Sequence, residues 1–355
     1  MGRRMPTLSD VAHCAGVSYA TADRAMNGRG GVSEKSMRRV LNAVEELGYV
    51  RNVAAANLSQ RRTYRFTIVI PEGTNTFFAH VRAILAEARS RLLADRVELQ
   101  VVPVAAFDPS ALTRCLRRLA GQDIDGVALV GNNDPHVYDA LADLRARGIA
   151  VITMISDVPG ARRDAYAGID NIIAGRTAAR MIVLAHGGKA GRVLPIVGAL
   201  SARDHADRLA GLGETLAASS LTLAPEVEGR DQHGIVEEKL RAALAEDPEI
   251  SAVYNAGAGN AGLIRVIAAT PAQNARPIVV LHELVPHTRR ALEAGLIDIV
   301  IDQRPDVAVA QTLDCLRDIA DRRPVSAPTP IVPAIYVKEN LPPDDRMAAT
   351  GVPHP

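Results

Sequence analysis

The sequence of 355 residues contains no tryptophan, only 3% aromatic residues and three cysteines. Cys14, Cys115 and Cys315 are scattered and show no CxxC or Cys/His spacing, so they indicate neither a disulfide framework nor a zinc site. No apolar run is long enough to span a bilayer, and residues 1–10 are basic but lack the apolar segment of a secretory signal. We therefore expect a cytoplasmic protein without a metal site, a bound cofactor or a membrane partner.

The charge is unevenly distributed along the chain, although the whole sequence carries a formal charge of only +1. Residues 1–65 contain 11 lysines and arginines against 5 acidic residues, a net charge of +6. The remaining 290 residues contain 30 basic and 35 acidic residues, a net charge of −5. A basic N-terminal part on an acidic body favours binding of phosphate groups at the N-terminal end.

Residues 7–27, TLSDVAHCAGVSYATADRAMN, contain two short helical patterns joined by a turn at Gly16. Thr7 and Asp10 have the spacing of a capping box, and Ser18 is placed to cap the second helix. A third helical pattern begins at Ser33 and ends before Gly48. Its apolar residues, which we expect to cover the first two helices, are Met37, Val40, Leu41, Val44 and Leu47.

The second helix has a side suited to contact DNA. Ala22, Ala25 and Met26 lie on one side, and the residues on the other side are Tyr19, Ala20 and Arg24. This is the layout of a helix-turn-helix, in which the second helix presents its N-terminal side chains to the major groove. A small helical hairpin used for dimerisation is the alternative interpretation. Residues 52–58 are too few to form a stable helix alone, so we expect a flexible linker in the free protein.

Three segments together, TLSDVAHCAGVSYATADRAMNG, VSEKSMRRVLNAVEELGYVRN and AAANLSQRR, resemble the head and hinge of the LacI family of bacterial transcription regulators. The resemblance implies base contacts from Arg24 and its neighbours, phosphate contacts from hydroxyl and amide side chains, and a minor-groove wedge at Leu58. The implied DNA-binding residues are Thr7, Ser18, Tyr19, Ala20, Thr21, Arg24, Asn27, Ser33, Asn52, Ala55 and Leu58. Asp23 replaces a usual serine and Arg51 a usual proline, so the operator sequence does not transfer.

From residue 64 to about 338, short apolar runs alternate with helical stretches. This alternation predicts parallel sheets covered by helices on both faces, and the length suits two sheets better than one. The predicted strands cover residues 66–70, 97–102, 124–130, 149–154, 193–197, 252–254, 278–281 and 297–301. Because ligands of such sheets bind beyond the carboxyl ends of the strands, we expect a ligand cleft where the loops of the two sheets face each other.

The segments VIPEGTNTFFAHV, AYAGIDNIIAGRTAA, RDHADRLAGL, VLHELVPHTRRAL and IDQRP resemble the periplasmic-binding-protein fold of the same family, most closely its ribose-binding-like branch. The resemblance implies a carbohydrate or polyol effector. The implied effector-binding residues are Asn75, Phe77, Phe78, Asp157, Arg203, His205, Arg208, Asn255, Glu283 and Gln303. Glu283 replaces a usual aspartate, and Ala256-Gly257-Ala258 replaces a usual Asn-Asp pair.

One motif supports a competing hypothesis. Residues 257–262, GAGNAG, match the GxGxxG pattern after a strand and before a probable helix, and Glu283 lies where a dinucleotide fold places its ribose-binding carboxylate. This pattern would indicate an NAD(H)-binding redox-sensing regulator or an NAD-dependent oxidoreductase. No nucleophile–base pair or metal cluster is visible in the sequence, however, so we expect no enzyme activity and no catalytic residues.

The sequence therefore predicts a small all-α helix-turn-helix domain followed by an α/β domain of two doubly wound parallel-sheet lobes. The expected boundaries are 1–51 for the DNA-binding domain, 52–63 for the hinge, 64–340 for the effector domain and 341–355 for the tail. Within the effector domain we expect one lobe at about 64–160 and 296–325 and the other at about 161–295 and 326–340. Paired heads impose two-fold symmetry, so we expect a homodimeric repressor on palindromic operator DNA.

Overall fold

A computed structural model describes residues 6–26, 30–49, 62–158, 160, 162–270, 276–323 and 328–343. The chain divides into two compact units, Met1–Arg62 and Thr63–Pro355. Four predicted DNA-binding residues, Asn27, Asn52, Ala55 and Leu58, lie outside the described residues, as does nearly all of the expected hinge. None of the described helices is both long and apolar enough to cross a membrane.

The first unit consists of three helices, α1 (Leu8–Ala15), α2 (Tyr19–Met26) and α3 (Glu34–Leu47). Thr7 and Asp10 form the predicted capping box, in which each side chain accepts a hydrogen bond from the other residue's backbone N–H. Gly16 ends α1 with a φ of 58°, a left-handed conformation that glycine adopts without strain. The local sequence thus explains where the first helix begins and where it ends.

Small and β-branched side chains form the core of this unit, which includes Val11, Ala22, Val40 and Ala43. Met37, Val44 and Leu47 pack against this core as predicted. The prediction for Leu41 was wrong, because its side chain is 53% exposed. One residue advances an α-helix by about 100°, so Leu41 lies well round the helix from Val40 and away from α1 and α2.

The second unit contains two sheets, each with its own helices. The five-stranded sheet has the order β2-β1-β3-β4-β5 and is parallel throughout. Its strands are β1 (Tyr64–Pro71), β2 (Val97–Val104), β3 (Gly126–Val130), β4 (Ala150–Met154) and β5 (Ala165–Ala167). Its helices are α4 (Thr76–Ala94), α5 (Pro109–Leu119), α6 (Pro135–Ala146) and α12 (Pro305–Ala320). We call this sheet and its helices the first lobe.

The seven-stranded sheet has the order β12-β11-β10-β9-β6-β7, with β8 paired to β6, and only β12 is antiparallel to its neighbour. Its strands are β6 (Gly191–Val197), β7 (Leu221–Leu223), β8 (Val227–Glu228), β9 (Ile250–Asn255), β10 (Ile278–His282), β11 (Ile299–Asp302) and β12 (Ala334–Tyr336). Its helices are α7 (Asn171–His186), α8 (Arg203–Leu216), α9 (His233–Glu246), α10 (Asn260–Ala268) and α11 (Pro286–Glu293). We call this part the second lobe.

Both lobes bury each face of their sheet. In the first lobe, side chains of α4 and α12 pack in one core cluster with the sheet, while those of α5 and α6 pack in another. In the second lobe, α9, α10 and α11 share one cluster with the sheet, and α7 and α8 share the other. Doubly buried strands explain the continuous apolar runs of the sequence. The predicted fold class is confirmed.

The expected lobe boundaries need correction. Strand β5 pairs with β4 in the first lobe, although the sequence placed residues from 161 in the other lobe. Strand β11 pairs with β10 in the second lobe, although residues from 296 were expected in the first. An apolar run predicts that a strand is buried but not which strand it pairs with, so the sequence identified the strands but not the points where the chain changes lobes.

Candidate functional site

A cavity of about 590 Å³ is lined by loops of both lobes. The first lobe contributes loops that follow β1, β2 and β3, at residues 71–75, 104–108 and 130–132. The second lobe contributes the start of α8, residues 230–234 after β8, residues 257–258 after β9 and single residues after β10 and β11. The cavity therefore lies where loops beyond the carboxyl ends of the strands meet, the position expected for a ligand site in such sheets.

The structure places most of the sequence-predicted effector residues around this one cavity. The lining residues among them are Asn75, Phe77, Phe78, His205, Arg208, Glu283 and Gln303. Asp157, Arg203 and Asn255 do not line the cavity, and each of these three has another role in the structure.

Asp157 is held by an ion pair with Arg163. The Arg163 Nε donates to Oδ1 at 2.5 Å and its Nη2 donates to Oδ2 at 2.6 Å, while Thr153 donates a further hydrogen bond at 2.6 Å. Burial alone would raise the pKa of Asp157, but these hydrogen bonds and the positive charge of Arg163 lower it overall. The carboxylate is thus occupied within the first lobe.

Arg203 and Asn255 make their contacts outside the cavity lining. Arg203 pairs with Asp207 one helical turn later, at 3.3 Å. The Asn255 Oδ1 accepts from the N–H of Gly257 at 3.1 Å, and its Nδ2 donates to the carbonyl oxygen of Ala258 at 3.0 Å. Asn255 therefore fixes the loop that follows β9, and that loop lines the cavity.

The geometry of the start of α8 explains why Arg203 does not line the cavity while its neighbours do. Asp204, His205 and Arg208 line the cavity, whereas Arg203 and Asp207 do not. Residues four apart lie on the same side of a helix, so Asp204 and Arg208 share one side and Arg203 and Asp207 share the next. Helical periodicity within the segment was therefore a usable signal for Asp204.

The first lobe brings three phenylalanines to the cavity. Phe77 and Phe78, in the first turn of α4, have ring centroids 5.2 Å apart in an edge-to-face arrangement, and both are buried. Phe107 follows β2 with a φ of 56° and was not predicted. Phe107 lies in the loop directly after β2, so it could have been found by inspecting that loop in the same way as the loops after other strands.

The second lobe brings polar groups whose hydrogen bonds are incomplete. The Arg208 Nε donates to Asn171 Oδ1 at 2.8 Å and its Nη1 donates to the carbonyl oxygen of Ala256 at 2.7 Å. Its Nη2 has no hydrogen-bond partner among the described residues. Gln303 Nε2 donates to Glu283 Oε1, which leaves Gln303 Oε1 and Glu283 Oε2 buried without a partner in the same part of the chain. Buried polar atoms normally have partners, so these three atoms are available to pair with a ligand in the cavity.

Burial changes the protonation of Glu283. Burial, together with the nearby charge of Asp302, raises the pKa of this carboxyl to about 8, against the lowering effect of the Gln303 hydrogen bond. At neutral pH the side chain is therefore mostly protonated and can donate a hydrogen bond as well as accept one.

Further lining residues come from a loop that the sequence pattern did not reveal. Arg230, Asp231 and His233 line the cavity after β8, a strand of only two residues. A strand this short has no apolar run, so the sequence did not predict it. The loop that follows it was therefore not inspected for ligand-binding residues.

The first unit presents most of its described DNA-binding candidates on one helix. Ser18, Tyr19, Ala20 and Arg24 are exposed, and the Tyr19 side chain is 57% exposed. Thr21 is half-buried, and its hydroxyl lies 2.8 Å from that of Ser18. Thr7 and Ser33 are also helix caps, at the starts of α1 and α3.

Family models match both units. The lacI family of bacterial regulatory proteins matches residues 7–52, and a periplasmic binding protein domain matches residues 66–324. The transcriptional regulator CelR of Thermobifida fusca is 31% identical over 260 residues, which cover 72% of this chain and 74% of CelR. This chain belongs to the lacI family of bacterial regulatory proteins.

Two further similarities concern parts of the chain. The transcriptional regulator DegA of Bacillus subtilis is 28% identical over 179 residues, so the match spans about half of each protein, 50% of this chain and 51% of DegA. The solved structure of GanP, a glucose-galactose binding protein from Geobacillus stearothermophilus, has a TM-score of 0.72 at 23% identity and covers 79% of this chain and 99% of GanP. At this identity GanP shows only the shared fold.

In this lacI-family protein, the GAGNAG segment does not form an open phosphate site. The N–H of Gly257 donates to Asn255 Oδ1, and the N–H of Ala258 donates to Asp231 Oδ1 at 2.9 Å. A dinucleotide site needs backbone N–H groups that are available to the pyrophosphate at the helix start. Here those two groups are occupied, and the Asp231 carboxylate would repel a phosphate. The dinucleotide alternative has no support.

Proposed function

We propose that this regulator binds a carbohydrate or polyol in the cavity between its lobes and thereby changes its affinity for operator DNA. The observation that carries the proposal is the set of three buried, unpartnered polar atoms on Arg208, Glu283 and Gln303, in a cavity that the phenylalanines of the first lobe also line.

Hydroxyl groups suit these three atoms because each hydroxyl both donates and accepts. One can accept from Arg208 Nη2, and another can donate to Gln303 Oε1. The apolar faces of a sugar ring can lie against Phe77, Phe78 or Phe107. A cavity of about 590 Å³ is in the usual size range of small-molecule sites. The fold that the chain shares with GanP, itself a sugar-binding protein, agrees with this ligand class.

For the DNA-binding unit we propose that α2 enters the major groove, with Arg24 as the main base contact. A guanidinium can bond both acceptors of one guanine, and Arg24 is exposed on the same helix as Tyr19. Two copies of the chain would bind a palindromic operator as a cytoplasmic homodimer and would act as a repressor. Leu58 would insert into the minor groove between the two heads.

Coupling between the two units requires that the effector bind one arrangement of the lobes more tightly than another. A ligand that contacts both lobes meets this condition if closure of the lobes completes its contacts. Its effect on DNA affinity is then limited to its differential affinity for the two arrangements. The lining residues come from both lobes, so such a ligand is sterically possible here.

The test is a thermal-shift screen of the full chain against sugars, polyols, sugar phosphates and NADH, with and without a DNA fragment from beside its own gene. A ligand at about one hundred times its dissociation constant adds about 2.7 kcal/mol to the folded state, enough to raise the melting temperature by several degrees. We expect a sugar or polyol whose shift changes when the DNA is present.

The Arg24→Ala variant is the control for this screen. It should keep the shift with the same sugar, but the DNA should no longer alter that shift. A response to NADH alone would contradict the proposed effector class. A sugar response that the DNA never changes in the native protein would contradict the proposed coupling.

A further inference from the structure

Asp231 holds an unusual position in the loop after β8. Arg230 and Asp231 have φ values of 49° and 56°, so two consecutive residues other than glycine adopt the left-handed conformation. This conformation is uncommon and persists where the surroundings determine it, often at ligand sites. Here it directs the Asp231 side chain to the cavity, which Asp231 lines.

The carboxylate of Asp231 joins three loops and both lobes. Its Oδ1 accepts from the N–H of Ala258, in the loop after β9, at 2.9 Å. Its Oδ2 accepts from Asn75 Nδ2 of the first lobe, also at 2.9 Å. Asn75 Oδ1 in turn accepts from the N–H of Phe77 at the start of α4. Asp231 thus contacts the residue that begins the phenylalanine side of the cavity.

The glycines of the GAGNAG segment provide space for this loop. A Cβ on Gly257 would lie 3.0 Å from Asp231 Oδ1, and one on Gly198 would lie 2.5 Å from the same atom. The two later glycines of the segment lie close to residues that come just after Asp231 in the chain. A Cβ on Gly259 would lie 2.5 Å from Val236 Cγ2, and one on Gly262 would lie 1.9 Å from the backbone oxygen of His233. The motif is therefore explained by close packing of the loop that carries Asp231.

The charge of Asp231 is not neutralised nearby. Both of its hydrogen-bond donors are neutral amides, and no lysine, arginine or histidine among the described residues forms an ion pair with it. A carboxylate can only accept hydrogen bonds, so its remaining lone pairs favour a ligand that donates. They disfavour a ligand group that is itself negative.

The other charged residues of the cavity wall also favour a neutral ligand over an anionic one. Apart from Glu283, the lining carboxylates are Glu72, Asp108, Asp204 and Asp231, and the lining arginines are Arg208 and Arg230. The buried Arg208 is the group that could attract an anion. Two of its nitrogens already donate to neutral oxygens, which leaves Nη2, with its two N–H groups, for the ligand, and the four lining carboxylates outnumber Arg208 and Arg230.

We propose that Asp231 is a specificity-determining residue of the cavity, which selects uncharged sugars or polyols and rejects their acids and phosphates. This inference rests on the proposed function, since it narrows the class of carbohydrate that the cavity accepts. Asp231 accepts a hydrogen bond from a ligand hydroxyl and repels a ligand carboxylate or phosphate. It also keeps Asn75 in place at the edge of the phenylalanines.

The test measures binding of matched neutral and anionic ligands to the full chain by calorimetry. The pairs are D-glucose with D-gluconate, D-galactose with D-galacturonate, and myo-inositol with its monophosphate. The Asp231→Asn variant removes the charge but keeps the size, and asparagine tolerates the left-handed conformation. Glu238→Gln is the matched control because it removes one charge from the exposed side of α9, away from the cavity lining.

We expect the native chain and Glu238→Gln to bind a neutral member at least tenfold more tightly than its anionic partner. In Asp231→Asn that ratio should fall by about tenfold or more, with an unchanged thermal melt of the free protein as evidence of folding. An unchanged ratio in a folded Asp231→Asn variant would overturn the role of Asp231. Tighter binding of an acid or phosphate by the native chain would overturn the inference but leave a carbohydrate effector in place. Absence of binding to every pair would overturn the proposed function and this inference together.

Discussion

The two lobes contribute different chemistry to the same cavity. The first lobe supplies aromatic rings, and Phe77 and Phe78 belong to the hydrophobic core that also contains Val81 and Leu85. The second lobe supplies charged and amide groups, with Arg208 only 2% exposed and part of its hydrogen-bonding capacity unused. The aromatic side is therefore complete without a ligand, whereas the polar side has atoms that are available to pair with a ligand.

This difference follows from what each kind of side chain needs on folding. A phenylalanine gains free energy simply by leaving water, so its burial in the first lobe stabilises the fold whether or not the cavity is filled. A buried polar atom without a partner costs about 1–3 kcal/mol, and a ligand that pairs it recovers part of that cost. Substitutions in the first lobe should thus act mainly on stability, and substitutions in the second mainly on binding.

The largest expected effect is on the aromatic side. Phe77→Ala should lower the free energy of unfolding by about 3–5 kcal/mol, because it removes a buried ring and leaves a cavity in the core. Urea denaturation followed by circular dichroism would measure the loss. Leu93→Ala, on the same helix but 58% exposed, should change it by less than about 0.5 kcal/mol. A loss below about 1 kcal/mol for Phe77→Ala would mean that the ring serves the ligand more than the core.

On the polar side, Arg208→Met should weaken binding of the sugar or polyol found in the screen by about 100-fold, which is about 2.7 kcal/mol. The substitution removes the available Nη2 donor and the donors to Asn171 and Ala256. Its effect on stability should be smaller than that of Phe77→Ala, because the variant no longer buries a charge.

Calorimetry with that ligand would measure the change, and Arg176→Met is the matched control. Arg176 is exposed and pairs with Glu214 on the surface of the same lobe. Binding within about threefold of the native value in Arg208→Met would contradict the division of roles between the lobes.

The third expected effect is the pH dependence contributed by Glu283, which is small near pH 5 and grows with pH. Its pKa in the folded protein is raised from the ordinary value of 4.5 to about 8. The unfolded chain therefore ionises first, so this residue's contribution to stability is fully present below about pH 4.5 and is lost as the pH rises to about 8. Glu283→Gln stays neutral and should be more stable than the native chain at pH 8 by several degrees in melting temperature.

Thermal melts from pH 5 to pH 8 would measure this difference, which should grow with pH. Glu238→Gln, an exposed site, should show no such growth. Parallel melting curves for Glu283→Gln and the native chain would mean that Glu283 is ionised in the folded protein and does not donate a hydrogen bond to the effector.

Much of the fold could be predicted because the signals are local. Each of the eight predicted strands corresponds to an observed strand, since strands buried on both faces need continuous apolar runs. The capping pair Thr7 and Asp10 likewise depends on residues three positions apart. The lobe to which β5 and β11 each belong could not be predicted, because it depends on which distant strand each one pairs with.

The cavity was predictable to the extent that its residues follow strands with a clear apolar run. Gln303 directly follows β11, and Glu283 directly follows β10. Asp231 was missed because β8 has only two residues. Asp157 was assigned to the ligand because it follows β4, but Arg163, six residues later in the same loop, pairs with it.

The sequence by itself determined the helices of the head, the eight strands with a clear apolar run, and the side of α2 that faces away from its core. Those features depend on periodicity, caps and turns within about twenty residues. Only the tertiary structure decided which polar atoms remain unpartnered around the cavity and which glycines make room for Asp231. A hydrogen bond such as that from Asn75 to Asp231 joins residues 156 positions apart, and no local pattern encodes whether such a bond forms.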